Sequence, residues 1–366
     1  MIKLTVNASI KYDVVMERGA LGKAGEYIGK SNGRKVCIIT DDNVDKLYGQ
    51  SEHALWGSLT SAGFDVYKYV FPGGEDHKNM ATVTGILEFL AEHSFTRSDL
   101  LLALGGGITG DITGFTAATY LRGIEFIQVP TSFLAVVDSS VGGKTGVNLS
   151  SGKNLAGAFW QPSLVLFDPD VLDTLSDELK LDGMAEAIKA GIIADPQILT
   201  MIDSSAGEMS PDNVSGILSD NDLLTEIAAK AVKVKRAIVE EDERESGKRA
   251  LLNLGHTAAH AIEKCSAYGI SHGHAVAMGM AMISAAAAAE GLCEKAFHEE
   301  IVSILRQAGF ALTCPYNAKE LTSAALHDKK RRGDSITLVI PEAAGSCRLK
   351  KIPVGELEAF FEKGLI

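Results

Sequence analysis

Leu100-Leu-Leu-Ala-Leu-Gly-Gly-Gly-Ile-Thr-Gly-Asp111 is the segment that decides the fold of the first half of the chain. Its five leading apolar residues predict a buried strand, because a short apolar run that ends at glycines is typical of a parallel sheet. Gly105, Gly107 and Gly110 then satisfy the spacing G-x-G-x-x-G at the start of a predicted helix. The backbone can approach a pyrophosphate there, with the helix N-terminus facing its charge.

The glycine motif is incomplete as a dinucleotide-binding fingerprint. That fingerprint also requires an acidic residue at the end of the next strand, and Glu125 is expected to precede its strand. Asp41, Asp42 and Asn43 follow another predicted strand at its carboxyl end and offer a substitute. A tight turn that binds no ligand is the alternative reading of these glycines.

Five short β-branched or apolar runs alternate with helical patterns in the first half, which predicts a parallel α/β sheet. The predicted strands are residues 35–40, 66–70, 100–104, 126–129 and 164–167. Beyond about residue 175 the period becomes helical, at 178–193, 223–240, 255–265, 274–292, 297–308 and 354–363, with one late hairpin at 335–340 and 347–352. We therefore predict a Rossmann-like α/β domain over 1–177 and an all-α, mainly helical domain over 178–366, with a ligand cleft between them.

Length and composition restrict the class of protein. A chain of 366 residues with 46% hydrophobic content is long enough for two cores. The five scattered cysteines form no C-x-x-C pair and predict buried thiols in a reducing compartment. The N-terminus lacks the pattern of a signal peptide, so we expect a cytoplasmic protein. A net charge of -12 argues against binding to nucleic acid or anionic membrane, so the remaining basic clusters predict a pocket for a small anion.

Four of the nine histidines, His256, His260, His272 and His274, fall within one short stretch, which indicates a metal site. His256 and His260 share a helix face by their spacing of four, so spacing alone offers both as ligands. Glu186 lies on an otherwise apolar helix turn and needs a partner, which could be a metal or Lys189. Two histidines and one carboxylate would leave open the coordination positions that a catalytic zinc requires.

A second glycine-rich segment, Val141-Gly-Gly-Lys-Thr145, ends like a P-loop. Asp138 stands where the first glycine of that motif should be and no strand leads in, so we reject a nucleoside triphosphatase. The loop carries five polar residues that suit a polyhydroxylated anion, and a merely solvated loop is the alternative. These residues are Asp138, Lys144, Asn148, Lys153 and Asn154.

Taken together, these and further segments show that the chain resembles the 3-dehydroquinate synthase family of sugar-phosphate cyclases. The matching segments follow the order of the family over nearly the whole chain. They are Pro72-Gly-Gly-Glu-Asp-His-Lys78, Leu104-Gly-Gly-Gly-Ile-Thr-Gly-Asp111, Arg122-Gly-Ile, Val129-Pro-Thr131, Val137-Asp-Ser-Ser-Val-Gly-Gly-Lys-Thr-Gly-Val-Asn148, Gly152-Lys-Asn154, Gly183-Met-Ala-Glu-Ala-Ile-Lys189, Asp242-Glu-Arg-Glu-Ser-Gly-Lys-Arg-Ala-Leu-Leu-Asn-Leu-Gly-His256, His272-Gly and Asp328-Lys-Lys330.

The resemblance implies an N-terminal NAD-binding domain and a C-terminal domain that binds a divalent metal, zinc or cobalt, together with the substrate. It assigns the metal ligands to Glu186, His256 and His272. His260, which spacing offers as a ligand, becomes a proton-handling residue with Glu245. The implied catalytic set is Glu245, His260, Lys144, Asp138, Lys189 and Asn253.

The resemblance also implies the binding residues. Arg122 would reach the substrate of the partner subunit in a homodimer. The other substrate contacts would be Asp138, Lys144, Asn154, Lys189, Lys235, Arg249, Asn253, His260 and one of Lys329 and Lys330, of which we select Lys330. The NAD contacts would be Asp41, Asn43, Glu75, Lys78, Gly106, Gly107, Asp111, Thr131, Ser132, Lys144, Lys153 and Thr174.

Two residues depart from the family pattern. His274 stands where the family usually has glutamate, beside His272, and we expect it to be a surface residue or an outer neighbour of the metal rather than a ligand. Ser132 replaces a usual threonine and keeps the hydroxyl. Both identities are read directly from the sequence.

The implied reaction converts 3-deoxy-D-arabino-heptulosonate 7-phosphate to 3-dehydroquinate and phosphate, as a lyase of the shikimate pathway in chorismate and aromatic amino acid biosynthesis. It would proceed by transient oxidation with NAD, phosphate elimination, reduction, ring opening and intramolecular aldol closure, and NAD would be recycled. The alternatives are another cyclase, of the aminodehydroquinate or 2-deoxy-scyllo-inosose type, and a metal- and NAD-dependent polyol dehydrogenase. A non-catalytic relative is disfavoured because every carried-over ligand and base is present.

Overall fold

The computed structural model describes residues 1–205, 215–326 and 334–365. It contains two compact units, Met1–Leu175 and Ser176–Ile366, so the division lies beside the domain boundary that we expected at residue 177. Lys329 and Lys330, between which the sequence left a choice, lie outside the described residues.

The first unit is built on a seven-stranded sheet in the order β1-β2-β9-β6-β5-β3-β4. Its strands are β1 Ile2–Asn7, β2 Lys11–Met16, β3 Lys35–Asp41, β4 Asp65–Phe71, β5 Leu100–Gly105, β6 Glu125–Pro130 and β9 Leu164–Phe167. All neighbours are parallel except β1 and β2, which form an antiparallel hairpin at one edge. The predicted parallel α/β sheet is confirmed, and the edge hairpin is an addition that the sequence analysis missed.

Five α-helices accompany this sheet. They are α1 Ala24–Ile28, α2 Asp42–Val44, α3 Ala54–Ser61, α4 Met80–Glu92 and α5 Gly107–Thr119. β5 is buried along its whole length, as its apolar sequence predicts, and α5 begins two residues after β5 ends. The turn between them is therefore held by a core strand on one side and a largely buried helix on the other.

The polar segment that we treated as a loop contains a two-stranded antiparallel sheet, β7 Lys144–Leu149 paired with β8 Gly152–Phe159. Glycines allow the close pairing, because a Cβ on Gly157 would lie 2.2 Å from the carbonyl oxygen of Thr145. The loop expectation was wrong, since glycine and lysine in these strands mask the alternation that usually reveals a hairpin. Lys144 begins a strand and no helix follows it, which agrees with the rejection of a P-loop.

The second unit is mainly helical. Its helices are α6 Asp177–Ile193, α7 Pro196–Ser205, α8 Ser215–Ser219, α9 Asn221–Glu241, α10 His256–Cys265, α11 His272–Ala289, α12 Lys295–Gln307, α13 Ala318–Leu326 and α14 Leu357–Gly364. The late hairpin is present as β10 Ser335–Ala343 and β11 Ser346–Pro353. The alanine-rich run in α11 is buried on nearly all sides, which is typical of a helix at the centre of a core.

None of the helices in the described ranges is both long and apolar enough to cross a membrane. The alanine-rich helix α11, which is the longest apolar run of the sequence, packs inside the second unit instead.

Candidate active site

The glycine turn between β5 and α5 has the form that the sequence predicts. Gly106 is the residue before the first helical turn, and no side chain caps the backbone N–H groups that follow it. A Cβ on Gly106 would lie 3.2 Å from Ser132 Oγ, and one on Gly107 would lie 2.9 Å from Ser139 Oγ. The turn therefore presents bare backbone donors at a helix N-terminus, which is the arrangement that binds a pyrophosphate.

Asp41 lies beside this turn, because β3 and β5 are neighbours in the sheet. Its carboxylate accepts hydrogen bonds from the backbone N–H groups of Asn43 and Val44 at 3.0 and 3.1 Å, and Thr109 Oγ1 lies 3.5 Å from Oδ2. The fingerprint expects an acidic residue at the end of the next strand, β6. Asp41 offers a carboxylate instead at the end of β3, which pairs with the other edge of β5. The geometry suits a carboxylate that meets a ribose, as the motif requires.

Lys78 is a buried lysine that joins three predicted binding segments. Its Nζ lies 2.5 Å from Asp111 Oδ2 and 2.7 Å from Asn154 Oδ1, and only 6% of its surface is exposed. Asn154 has a left-handed backbone, with φ of 52°, and its N–H donates to Asn148 Oδ1 at 2.8 Å. Lys78 therefore connects residues expected to bind NAD with a residue expected to bind substrate.

Further predicted residues of the first unit occupy the segments around these contacts. Lys153 Nζ lies 3.8 Å from Glu75 Oε1, and Thr174 shares a hydrogen bond of 2.9 Å with the Tyr48 hydroxyl. The Thr131 N–H donates to the carbonyl of Gly105 at 3.0 Å. Asp138 lies in the turn Ala135–Ser139, and Lys144 is exposed at the start of β7.

Arg122 lies in a strained turn. Leu121 and Arg122 have φ values of 49° and 68°, which side chains other than glycine rarely adopt. Arg97 holds the turn by donating from Nε to the carbonyl of Leu121 at 3.0 Å. Trp160 packs on Gly123 so closely that a Cβ there would lie 2.4 Å from the indole ring. The protein thus fixes an exposed arginine in an unfavourable backbone conformation.

Glu186, His256 and His272 come together in the second unit, from helices α6, α10 and α11. One possible ligand atom from each lies within 4.8 Å of the other two. The Nε2 atoms of both histidines lie 3.5 Å from Glu186 Oε1. His260 is outside this group of described residues, and its ring packs edge to face on His256 at 5.5 Å between centroids. Spacing offered His256 with His260, whereas the geometry groups His256 with His272, the pair that the resemblance implies.

The donor set fits a divalent metal. Glu186 Oε1 is buried, and no described residue gives it a hydrogen bond of normal geometry, which is costly unless a cation binds there. His256 Nδ1 lies 3.1 Å from the carbonyl of Leu254, so its N–H is used there and Nε2 is left for the metal. One carboxylate and two imidazoles suit zinc or cobalt and leave open positions.

Charges within the cluster set the protonation of each ligand. Burial raises the pKa of Glu186, but Lys189 and the two histidines outweigh burial and hold that pKa well below its usual range. Burial and the Lys189 charge lower the pKa of His256 well below its usual value. Burial lowers the pKa of His272, whereas its bonds with Glu186 and Glu263 raise that pKa to about 10. A metal would therefore displace a proton from His272.

Lys189 contacts the same carboxylate from within α6, one turn after Glu186, and only 3% of its surface is exposed. The sequence left a metal and this lysine as alternative partners of Glu186. The structure shows Lys189 Nζ beside Oε2 and both histidines beside Oε1, so the two partners face different oxygens.

Glycines allow the helices that carry the ligands to approach one another. A Cβ on Gly279 in α11 would lie 2.3 Å from the carbonyl oxygen of Gly255, which precedes His256. Gly255 itself has a φ of 78°, a conformation that glycine adopts readily. At the start of α11, a Cβ on Gly273 would lie 2.3 Å from the Cα of Asp182 in α6. The residue beside each histidine ligand is therefore glycine for steric reasons.

Residues expected to handle protons and anions lie on α9 and in the segment between α9 and α10. Glu245 has a φ of 57°, and its Oε1 accepts a hydrogen bond of 2.9 Å from Asn253 Nδ2. Arg249 is almost completely buried, and its guanidinium donates to the carbonyl of Glu243. Lys235 is also buried, on α9. Buried cations of this kind are expected where an anionic ligand binds.

The sequence analysis missed three acidic residues that organise this unit. Asp182 accepts hydrogen bonds from Ser271 Oγ at 2.6 Å and from the Gly273 N–H at 2.9 Å. Asp242 accepts from the N–H groups of Ser246, Gly247 and Arg249 at 2.8, 2.7 and 3.0 Å. Glu263 Oε1 lies 3.5 Å from His272 Nδ1. Asp242 stands in a matching segment, but no local pattern distinguishes the other two from surface acids.

Comparisons with known proteins identify the family of the chain. The family model for the N-terminal part of 3-dehydroquinate synthase matches residues 68–181, and the model for the C-terminal part matches residues 183–331. A curated 3-dehydroquinate synthase from Streptococcus suis is 42% identical over 365 residues, which are 99% of this chain and 100% of the relative.

Solved structures share the fold. A 2-deoxy-scyllo-inosose synthase complexed with carbaglucose-6-phosphate, NAD+ and Co2+ superposes with a TM-score of 0.87 at 26% identity, over 100% of both chains. An iron-containing alcohol dehydrogenase superposes with a TM-score of 0.67 at 16% identity, over 98% of this chain and 99% of that one, and it shows the fold alone. From the two family models and the full-length relative, we conclude that the chain belongs to the 3-dehydroquinate synthase family.

Proposed function

We propose that the chain converts 3-deoxy-D-arabino-heptulosonate 7-phosphate to 3-dehydroquinate and inorganic phosphate. The observation that carries this proposal is the cluster of Glu186, His256 and His272, found in a chain that is 42% identical over its length to a 3-dehydroquinate synthase. The residues that we expect to bind NAD and substrate also support it. Those within the described ranges lie in the helices, strands and turns of the two units.

The first unit is proposed to bind NAD. The bare N–H groups after Gly106 suit the pyrophosphate, and Asp41 suits a ribose hydroxyl. Lys78, Asp111 and Glu75 are proposed to contact the same cofactor. Lys78 Nζ donates to Asp111, and Asn148 Nδ2 donates to Glu75 Oε1 at 2.7 Å. These groups would bind and orient the cofactor, and the cofactor itself would supply the redox chemistry.

The second unit is proposed to hold the metal at Glu186, His256 and His272. When bound, NAD would supply a transient hydride acceptor and the divalent metal a Lewis acid for the oxidised carbon. The buried cations Lys189, Lys235 and Arg249 of this unit would hold the carboxylate and phosphate of the substrate. The substrate contacts Lys144 and Asn154 of the first unit stay predictions from the resemblance. Fixed positions for both anionic ends make the successive steps effectively unimolecular.

Glu245 and His260 are proposed to move the protons of the reaction. Asn253 Nδ2 donates to Glu245 Oε1 at 2.9 Å, which orients a carboxylate that could accept or deliver a proton. His260 lies one helical turn after His256 and packs on its ring, so we expect its imidazole to lie beside the proposed metal site and not to be a ligand. The strained backbone at Glu245 is typical of a residue that is held for function.

The decisive assay follows both phosphate and NADH. We expect one phosphate released for each heptulosonate phosphate consumed, no net NADH, and loss of activity when NAD is omitted or a chelator is added. Sustained formation of NADH with a simple polyol would instead indicate the dehydrogenase. Faster phosphate release from a hexose 6-phosphate would indicate a cyclase of the inosose type, whose structural relative binds carbaglucose-6-phosphate.

We also propose that the protein acts as a homodimer in which Arg122 reaches the active site of the partner subunit. The strained, exposed turn at Arg122 supports this, and so does the exposed apolar surface of Leu121, Leu155 and Phe159 in the same unit. Mixing Arg122→Ala chains with Lys144→Ala chains should restore activity in heterodimers. If verified subunit exchange gives no rescue, each site is built from a single chain.

We further propose that the protein works in the cytoplasm. Its five cysteines are all unpaired thiols, which is typical of a reducing compartment. Fractionation of cells that express the tagged chain would test this, and recovery in a membrane or secreted fraction would contradict it.

A further inference from the structure

Glu263 is a buried carboxylate for which the reaction provides no role. Only 8% of its surface is exposed, and it lies in α10 seven residues after the ligand His256. A separation of seven residues is about two helical turns, so both side chains project from the same face of α10. Glu263 Oε1 lies 3.5 Å from Nδ1 of His272, the second histidine of the cluster.

The two nitrogens of His272 thus face two different carboxylates. Nε2 lies 3.5 Å from Glu186 Oε1, and Nδ1 lies 3.5 Å from Glu263 Oε1. A neutral imidazole carries its proton on one nitrogen and binds a metal with the other, and the partner of the protonated nitrogen selects which is which. A carboxylate accepts hydrogen bonds, so Glu263 favours the tautomer of His272 that carries its proton on Nδ1. In that tautomer Nε2 is the unprotonated nitrogen, and it faces the cluster.

His256 provides an internal comparison. Its Nδ1 lies 3.1 Å from the backbone carbonyl of Leu254, so its ring is oriented by the main chain. His272 belongs to another helix, and the group near its Nδ1 is the side chain of Glu263. Burying a carboxylate is unfavourable unless its charge is compensated, and contact with a histidine N–H explains why Glu263 is tolerated in the core.

We propose that Glu263 is a positioning residue for His272: it accepts the Nδ1–H and so directs Nε2 to the metal. The proposal rests on the metal site of the proposed function and adds a residue that does not contact the metal itself. Partners of this kind commonly change metal affinity by about 10-fold to 100-fold when removed.

The test is a titration of the full-length, metal-free protein with Co²⁺, followed by calorimetry and by visible absorption. Glu263→Gln keeps the size and one acceptor oxygen, and Glu263→Ala removes the acceptor. Glu290→Gln is the matched control, because Glu290 is paired with Lys350 and Lys363 at 3.1 Å each and follows the far end of α11. Eighteen helical residues place it about 27 Å along the axis from His272.

We expect Co²⁺ affinity to fall about 10-fold or more for Glu263→Ala and by less for Glu263→Gln, with a shifted Co²⁺ spectrum. Glu290→Gln should bind Co²⁺ like the parent, whatever its melting temperature. Parental affinity and spectrum in both Glu263 variants would overturn the positioning role alone. If the parent chain itself bound no Co²⁺, the proposed metal site would fail as well. If Glu263→Ala does not fold, the Co²⁺ affinity and spectrum of Glu263→Gln alone decide for or against the positioning role.

Discussion

Asp182 accepts a hydrogen bond of 2.9 Å from the backbone N–H of Gly273, the second residue of α11. Asp182 lies in α6 four residues before Glu186, and Gly273 directly follows His272. The two helices therefore meet through a backbone contact one turn away from the point where their side chains form the cluster. An acid at a helix N-terminus also stabilises the helix electrostatically, so this contact fixes the start of α11.

Gly273→Ala tests this close approach. Alanine in a helix normally stabilises by up to about 1 kcal/mol relative to glycine, but the new Cβ would lie 2.3 Å from Asp182 Cα. Overpacking costs about 1 to 3 kcal/mol, so we expect net destabilisation and weaker Co²⁺ binding. Gly57→Ala in α3 is the control, because no atom lies within 4 Å of the added Cβ and the variant should be as stable as the parent or more so. Equal melting temperatures and Co²⁺ affinities for Gly273→Ala and the parent would refute the steric argument.

Removing the charge of Glu186 should have two separate effects. Glu186→Gln removes the anionic metal ligand, so bound metal should fall sharply when measured by elemental analysis. It also leaves the Lys189 ammonium buried, which costs about 3 to 5 kcal/mol when an ion pair loses one partner. Thermal unfolding of the metal-free variant measures this second effect.

The double variant Glu186→Gln/Lys189→Met separates the loss of metal binding from the loss of stability. It should recover most of the stability of the metal-free protein, because the uncompensated charge is gone, but it should not recover metal binding. Full metal content in either variant would show that Glu186 is not a ligand.

His274, the residue that departs from the family pattern, is not one of the three described residues that form the candidate metal cluster. Its Nδ1 shares a hydrogen bond of 2.9 Å with Ser271 Oγ, and its ring packs edge to face on Phe310. We expect His274→Ala to keep the parental metal content and to lose about 1 to 2 kcal/mol of stability, from one hydrogen bond and one aromatic contact. Metal analysis after dialysis decides the matter, since a strong loss of metal would make His274 part of the site.

The sheet of the first unit could be predicted because its core strands are short apolar runs, of which β5 ends at glycine and β6 ends at proline. The β7–β8 hairpin could not, because its pairing depends on glycines that allow close contact between strands instead of on an apolar face. α11 was predicted to start at residue 274 but begins at His272, since the acid that fixes its start, Asp182, is distant in sequence. Local patterns carry no information about such a partner.

Local patterns predicted the candidate metal ligands only to the level of residue type, and the resemblance to the family was needed to select Glu186, His256 and His272. Histidine spacing offered His260 as the second histidine beside His256, because i, i+4 residues share a helix face. The choice depends on how α10 and α11 pack, which Gly255 and Gly279 decide through their close contact. Glu263 was not predictable, because its partner His272 belongs to the next helix.

Asp242 should make the loop before α10 sensitive to acid. Hydrogen bonds from the N–H groups of Arg249, Ser246 and Gly247 hold the pKa of Asp242 far below its usual value of 3.8. A lowered pKa in the folded state means that Asp242 contributes stability above about pH 3.8 and loses it as the pH falls further. The difference in melting temperature between the parent and Asp242→Asn should therefore be constant near neutral pH and shrink below pH 4. A difference that grew on acidification would contradict the assignment.

Lys78→Met should impair NAD and substrate binding together. Lys78 Nζ contacts Asp111 at 2.5 Å and Asn154 at 2.7 Å, so one substitution removes a cation from a partly buried carboxylate and a donor from the Asn154 amide. We expect the Kd for NAD, measured by fluorescence titration, and the KM for the heptulosonate phosphate each to rise about 10-fold, which corresponds to roughly 1.4 kcal/mol. Lys3→Met is the control, because it breaks a lysine–aspartate pair of 2.8 Å in the edge hairpin β1–β2. A rise in only one of the two constants would show that Lys78 serves one ligand and does not connect the two sites.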